Sequence, residues 1–157
     1  MYHDPDMKNI QRKQVFTSAA ASGILINNLG SIMESSKEVF IVPDTVGDNI
    51  FQWIVKLSEF NDTALDQELR HLRADFDYDY IELQLDFSMD LYPFFPPLVK
   101  VIRPSLQASM MLRVTTMEIL KLTDWGHARD MKSVMVDIKA FLSTWARLDL
   151  NSGRMTR

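Results

Sequence analysis

The chain of 157 residues contains no cysteine. This absence excludes disulfide bonds, and it excludes any reaction of the chain that needs a thiolate as nucleophile or metal ligand. It does not identify the compartment, because a protein without cysteine is compatible with oxidising and reducing surroundings alike.

Long apolar runs and an excess of basic charge are also missing. No stretch approaches the roughly 18 uninterrupted apolar residues of a membrane span, and residues 1–6 lack the basic flank and apolar run of a signal peptide. The net charge is −4, with lysine and arginine scattered along the chain. We therefore expect neither nucleic acid nor a membrane as a partner, and a cytoplasmic or nuclear location.

The composition is that of one ordinary globular domain, with 46% hydrophobic and 24% charged residues. A chain of this length can bury a core without disulfides or metal. We expect the domain to cover residues 14–148, between a flexible leader or linker at 1–13 and a frayed tail at 149–157. We expect no cofactor and no metal.

Apolar residues recur at helical spacing in three places. The spacing predicts helices over residues 17–35, over residues 64–74 and from residue 131 to about 148. Asp130 is the expected N-cap of the last helix.

Strands are predicted between these helices. Apolar and polar residues alternate in residues 49–59 and 81–87, and shorter apolar runs lie at 38–43 and 98–102. Pro43 is expected to close the first of them. Four sequential strands with short connections predict an antiparallel meander covered on one face, and thus an α+β fold.

A set of motifs in fixed order resembles the ubiquitin-conjugating enzymes. The run YPFFPP at residues 92–97 is followed by Arg103-Pro104, then by Ile119-Leu120 and by Trp125. In that family a Tyr-Pro-Phe-x-Pro-Pro turn leads into a strand. A His-Pro-Asn segment follows, and the catalytic cysteine sits just before an Ile-Leu or Leu-Leu pair and a tryptophan.

The Q-type branch of the family matches further. Its second strand reads like Asp-Trp-Asn-Val-Lys-Leu, against Gln-Trp-Ile-Val-Lys-Leu at residues 52–57, and a helical insertion like that at 64–75 is typical of it. The resemblance implies the ubiquitin-conjugating-enzyme fold: a four-stranded antiparallel meander covered by an N-terminal helix, with one long C-terminal helix.

The chain departs from the family where the chemistry is done. Thr116 stands at the position of the catalytic cysteine, and Ser105 stands where the family has the asparagine of His-Pro-Asn. A threonine hydroxyl needs an adjacent base to attack, and His127 is the nearest candidate in sequence. A serine lacks the amide donor of an oxyanion site. The resemblance therefore implies a degenerate site without catalytic residues.

Two groups of residues are candidates for contacting a partner. Tyr92, Phe94 and Phe95 belong to the proline turn, a loop on which RING-type ligases dock in the family. We expect most of them to serve the core and the turn, and one exposed aromatic to serve as a docking hot spot. Met110 and Met111 are either adaptable apolar contacts or a buried filling of the degenerate site.

The acidic side chains of Asp75, Asp77 and Asp79 alternate like the oxygen ligands of a calcium loop. The segment lacks the glycine and the distal glutamate of an EF-hand. A solvated loop is the preferred interpretation.

Three functions remain open. The favoured one is a catalytically inactive ubiquitin-conjugating-enzyme variant that binds ubiquitin, a ubiquitin-like protein, a conjugating enzyme or a RING-type ligase. The second is a structural scaffold domain of a larger protein without ubiquitin contacts. The third is an active conjugating enzyme whose cysteine was replaced.

Overall fold

The computed structural model describes residues 5–107, 125–126 and 130–149, with side chains from residue 19 onward. Its elements follow each other along the chain as α1 Pro5–Glu34, α2 Ser36–Val39, β1 Ile41–Val46, β2 Asn49–Leu57, α3 Ala64–Phe76, β3 Ile81–Asp86, β4 Leu98–Arg103 and α4 Met131–Trp145. None of the helices in this part of the chain is long and apolar enough to cross a membrane.

The four strands form one sheet in the order β1-β2-β3-β4, and every neighbouring pair is antiparallel. Alternate residues of β2 and β3 are buried, as the period-two pattern predicts. The expected antiparallel meander is confirmed.

Two helices close the apolar core against this sheet. The buried residues of α4 follow helical spacing and join the core of the sheet; they are Met131, Val134, Met135, Ile138 and Leu142. α1 contacts β1, β2 and α4, and Asn28 Oδ1 accepts a hydrogen bond of 2.7 Å from the backbone N–H of Met131. The predicted N-cap of α4 is confirmed, because Asp130 Oδ1 accepts from the N–H of Ser133 at 2.7 Å.

Lys139 connects α4 to the end of α2. Its Nζ donates to the carbonyl of Val39 at 2.7 Å and lies 5.5 Å and 5.6 Å from the ring centroids of Phe40 and Phe60. Burial lowers the pKa of this amine. The carbonyl and the two rings favour its charged form, so we interpret Lys139 as a structural clamp.

The first predicted strand exists, but its predicted bounds were wrong. Its predicted range began at Glu38, which lies in α2, and β1 starts at Ile41. Phe40 separates the two elements with a left-handed backbone (φ 54°), and its N–H returns to the carbonyl of Ser36. The apolar run therefore continues across the end of a helix, and the pattern of apolar residues does not show where that helix ends.

Pro43 lies inside β1 and not at its end. The carbonyl of Phe40 accepts from the N–H of Ser58, and hydrogen-bonded positions alternate along an antiparallel pair. Pro43, opposite Val55, therefore occupies a non-hydrogen-bonded position. The backbone nitrogen at this position faces away from β2, so the N–H that proline lacks removes no hydrogen bond between β1 and β2.

The helix predicted from residue 17 begins at Pro5. Proline suits the first helical position, because the N–H it lacks would have no partner there. Six of the eleven residues from 6 to 16 are methionine, lysine, glutamine or arginine, which favour helices without needing an apolar stripe. The predicted leader at 1–13 is thus helical from Pro5, whereas the division into leader, domain and tail stays a prediction.

Candidate functional site

The proline turn connects β3 to β4 and is fixed to the core by aromatic side chains. Tyr92 is fully buried, with ring centroids 4.9 Å from Phe87 and 6.4 Å from Trp125. The indole Nε1 of Trp125 donates to the carbonyl of Pro93 at 2.7 Å. The turn therefore presents its remaining side chains from a rigid base.

The structure corrects one candidate for partner binding, because the Tyr92 ring has no surface to offer. Its hydroxyl is buried without a hydrogen-bond partner among the described residues. Burial raises the pKa of this phenol to about 12, and the Asp130 carboxylate adds to the shift. Tyr92 is a core residue of the turn.

The raised pKa of Tyr92 predicts a loss of stability at alkaline pH. Between the unfolded value near 10 and the folded value of about 12, the unfolded chain releases a proton that the folded chain keeps, so stability falls as pH rises. From pH 9 to pH 11 the wild type should lose about 1.3 kcal/mol more than Tyr92→Phe. Denaturant unfolding of both proteins at the two pH values measures this difference. Equal losses would contradict the assignment.

The other two aromatic residues of the turn are accessible. Phe94 is 55% and Phe95 39% exposed, and Leu98 at the start of β4 is 71% exposed. Met89 and Leu91 are exposed in the same turn of the chain, and Leu91, Phe95 and Leu98 line one groove. These five residues form what we call the proline-turn patch, and large apolar side chains clustered on a surface are typical of interaction sites.

A groove of about 480 Å³ runs along this patch. It is mainly apolar, and its lining residues are Asp86, Phe87, Ser88, Leu91, Phe95, Pro96 and Leu98. Its size suits one or two inserted side chains. The groove is therefore suited to a protein or peptide partner.

Ser105, the residue at the family's asparagine position, lies in a short backbone ladder. Its carbonyl accepts from the N–H of Asp149 at 2.9 Å, and the N–H of Gln107 donates to the carbonyl of Arg147 at 3.1 Å. Leu106 pairs with Leu148 between them. The segment that follows α4 thus holds the segment that follows β4.

Glu68 of α3 fixes this ladder from the other side. Its Oε1 accepts from Arg147 Nε at 2.5 Å, and its Oε2 accepts from the backbone N–H of Leu148 at 3.3 Å. The carboxylate is largely buried, with 11% of the side chain exposed. The helical insertion between β2 and β3 therefore supports the Ser105 segment.

Removing the Glu68 carboxylate should loosen the ladder. We expect Glu68→Ala to lower the free energy of unfolding by about 1–3 kcal/mol, because the N–H of Leu148 loses its acceptor. Glu68→Gln keeps an acceptor oxygen and should cost less, since the partner Arg147 is half-exposed. Denaturant unfolding and amide exchange of Leu148 check this; equal costs for both variants would contradict it.

Four residues with a predicted role at the site lie outside the described residues, as does the Ile119-Leu120 pair of the motif. The four are Met110, Met111, Thr116 and His127. Their roles as contacts, as degenerate nucleophile and as nearby base stay predictions.

The acidic segment predicted as a loop begins inside α3, because Asp75 belongs to the helix, and only Asp77 and Asp79 follow it. Asp77 ends α3 in a left-handed conformation (φ 63°), and its N–H donates to the carbonyl of Arg73. Asp79 accepts from the Arg73 guanidinium at 3.5 Å. Within the described ranges no three metal-binding side chains lie together.

Sequence reasoning missed Asp86, Leu91 and Leu98 as members of the groove. For Asp86 and Leu98 the alternation along the strands was a usable signal. Each follows or precedes a buried residue, Leu85 or Val99, so its side chain lies on the other face of the sheet. The strand pairing makes the two residues direct neighbours. Leu91 lies in the turn, where no periodicity indicates which side chains are exposed.

Known proteins are similar in sequence to part of this chain. Ubiquitin-conjugating enzyme E2 Q1 from Homo sapiens is 34% identical over 102 residues, which are 63% of this chain and 24% of that protein. A shorter Q-like ubiquitin-conjugating enzyme protein from Mus musculus is 33% identical over 106 residues, 66% of this chain and 63% of that protein. The chain thus spans about a quarter of the longer relative. No family model matches the chain.

Solved structures share the fold. A ubiquitin-conjugating enzyme E2 from Plasmodium falciparum superimposes with a TM-score of 0.58 at 16% identity, over 77% of this chain and 96% of that one. An E2 domain from Toxoplasma gondii gives 0.54 at 20% identity, over 76% and 72%. The chain therefore has the ubiquitin-conjugating-enzyme fold, and its sequence is similar to those of Q-type ubiquitin-conjugating enzymes.

Proposed function

We propose that this chain is a catalytically inactive ubiquitin-conjugating-enzyme variant that binds a protein of the ubiquitin pathway through the proline-turn patch. The candidate partners are ubiquitin, a ubiquitin-like protein, an active conjugating enzyme and a RING-type ligase. The observation that carries the proposal is the cluster of exposed apolar side chains on this fold. A cytoplasmic or nuclear location is part of the proposal.

The composition of the chain supports the lack of catalysis. Ubiquitin conjugation passes through a thioester, which a thiolate forms, and the chain has no cysteine. By its resemblance to the family, Thr116 takes the place of the nucleophile. Ser105 brings no amide group to the position where the family has asparagine.

The rigidity of the turn supports binding. Trp125 holds the carbonyl of Pro93, and the backbone N–H groups of Phe94 and Phe95 both donate to the carbonyl of Leu91, at 2.8 Å and 3.0 Å. A patch that is already ordered loses little conformational entropy when a partner docks. Aromatic side chains are also frequent among the residues that dominate binding energies.

A heteronuclear NMR titration tests the proposal. The isotopically labelled chain is titrated with ubiquitin, with an active conjugating enzyme and with a RING domain in separate experiments. We expect one of them to shift the amide signals of Leu91, Phe94, Phe95 and Leu98 together. No shifts with any of the proteins would contradict the proposal and favour the scaffold function.

A thioester assay tests the lack of catalysis. The chain and Thr116→Cys are each incubated with ubiquitin, ATP and the ubiquitin-activating enzyme, and the products are separated with and without reductant. We expect neither protein to form a thioester, because Ser105 and the glycine-free residues 105–116 differ from the family as well. A reducible ubiquitin adduct on Thr116→Cys would favour an enzyme whose cysteine was replaced.

A further inference from the structure

We propose that the groove beside the proline turn selects a partner segment that carries a lysine or arginine next to an apolar side chain, and that Asp86 recognises the cation. The inference deepens the proposed function and rests on it. It names the chemistry of the partner and one residue that determines specificity.

The walls of the groove account for the apolar half of this requirement. Five of its seven lining residues are apolar, namely Phe87, Leu91, Phe95, Pro96 and Leu98. Filling the groove removes its exposed apolar side chains, Leu91, Phe95 and Leu98, from water, and this burial is the main attraction for an apolar side chain.

Asp86 provides the polar half, and its carboxylate is held in one orientation. Gln52 Nε2 donates to its Oδ1 at 3.0 Å. Gln84 Nε2 donates to the same Oδ1 at 3.1 Å and to Oδ2 at 3.3 Å. A carboxylate has about four acceptor positions, so Oδ2 keeps the capacity to accept from a ligand. The two amides fix the acceptor before any partner arrives, which lowers the entropy lost on binding.

The charge of Asp86 determines which ligands are favoured. An occupant of the groove displaces water from a partly buried carboxylate, and this desolvation is costly unless the occupant brings a donor or a positive charge. Lys100, a basic residue of the neighbouring strand, lies opposite Gln84, whereas the residue opposite Asp86 is Leu98. None of the ion pairs in the described ranges involves Asp86. A purely apolar segment is therefore selected against, and an adjacent lysine or arginine is selected for.

Two small probes of matched shape test this inference. 4-Phenylbutylamine carries a cation and 4-phenylbutan-1-ol carries a neutral hydroxyl on the same apolar body. Each is titrated into the labelled chain while the amide signals of Asp86, Leu91 and Leu98 are followed. We expect the amine to bind about fivefold more tightly than the alcohol, as a charge-assisted hydrogen bond at a partly exposed site provides.

Two variants assign the preference to one carboxylate. Asp86→Asn keeps the shape and an acceptor oxygen, and it should bring the affinity ratio of the two probes to about one. Asp90→Asn removes the same charge from an exposed residue of the turn that does not line the groove, and it should leave the ratio unchanged. Equal binding of both probes to the wild type, no binding of either, or an unchanged ratio in Asp86→Asn would each overturn the inference.

The comparison of the two probes in the wild type needs no variant to fold. It is also independent of the titrations with ubiquitin-pathway proteins. Shifts of the patch by one of those proteins, together with equal binding of the two probes, would overturn the charge selection and leave the proposed function standing. Selective binding of the amine, with no shifts from any of those proteins, would overturn the proposed function and leave the charge selection standing.

Discussion

Tyr92→Ala should lower the free energy of unfolding by about 3–5 kcal/mol, the cost of truncating a large aromatic side chain in a core. The ring is fully buried and packs edge-on against Phe87, so its removal leaves a cavity beneath the proline turn. Tyr92→Phe should cost less than about 1 kcal/mol or stabilise the protein, because the buried hydroxyl it removes has no partner among the described residues. Denaturant unfolding at neutral pH measures both values.

The contrast between these two variants separates packing from hydrogen bonding. A cost above about 2 kcal/mol for Tyr92→Phe would show that the hydroxyl has an acceptor in the part of the chain that the structure does not describe. A small cost for Tyr92→Ala would contradict the assignment of Tyr92 to the core.

Phe94→Ala should weaken binding of the proposed partner by at least tenfold, the effect of an aromatic hot spot. With 55% of its surface exposed, Phe94 contributes little to the core, so the free energy of unfolding should change by less than about 0.5 kcal/mol. A partner identified by the NMR titration is measured against wild type and variant by calorimetry.

Trp145→Ala is the matched control for this variant. Trp145 is also aromatic and 54% exposed, and it is the last residue of α4. The opposite end of α4 begins after Asp130, whose carboxylate acts on Tyr92. A helix of 15 residues is about 22 Å long, so this control lies far from the patch. Equal weakening by both variants would place the binding surface elsewhere.

The regular parts of the fold could be predicted because each one buries a face. β3 alternates strictly, β2 alternates from Trp53 to Leu57, and α4 has both an apolar stripe and an N-cap. The prediction was wrong where the chain changes conformation inside an apolar run, at Phe40, and where a helix extends without an apolar stripe, before Thr17. The spacing of apolar residues indicates which face of an element is buried, and it gives no information where burial does not determine the backbone conformation.

The site was harder to predict than the fold for a related reason. Tyr92, Phe94 and Phe95 are chemically alike and lie within four residues of each other, yet the first is buried and the other two are exposed. Only the packing of the turn against Phe87 and Trp125 separates them. The orientation of Asp86 by two glutamine side chains likewise depends on strand register, which the order of motifs does not give.

Pro43 limits how this protein can associate with others. An added strand would pair with the backbone groups of β1 that point away from β2, at Ile41, Pro43 and Thr45. Pro43 has no N–H to offer, and the N–H of Thr45 already donates to the Asp44 carboxylate at 2.8 Å. This edge can therefore offer a new strand at most the single N–H of Ile41. Sheet extension into oligomers or fibrils is therefore disfavoured at the β1 edge of the sheet, and a partner that meets this edge has to be recognised through side chains.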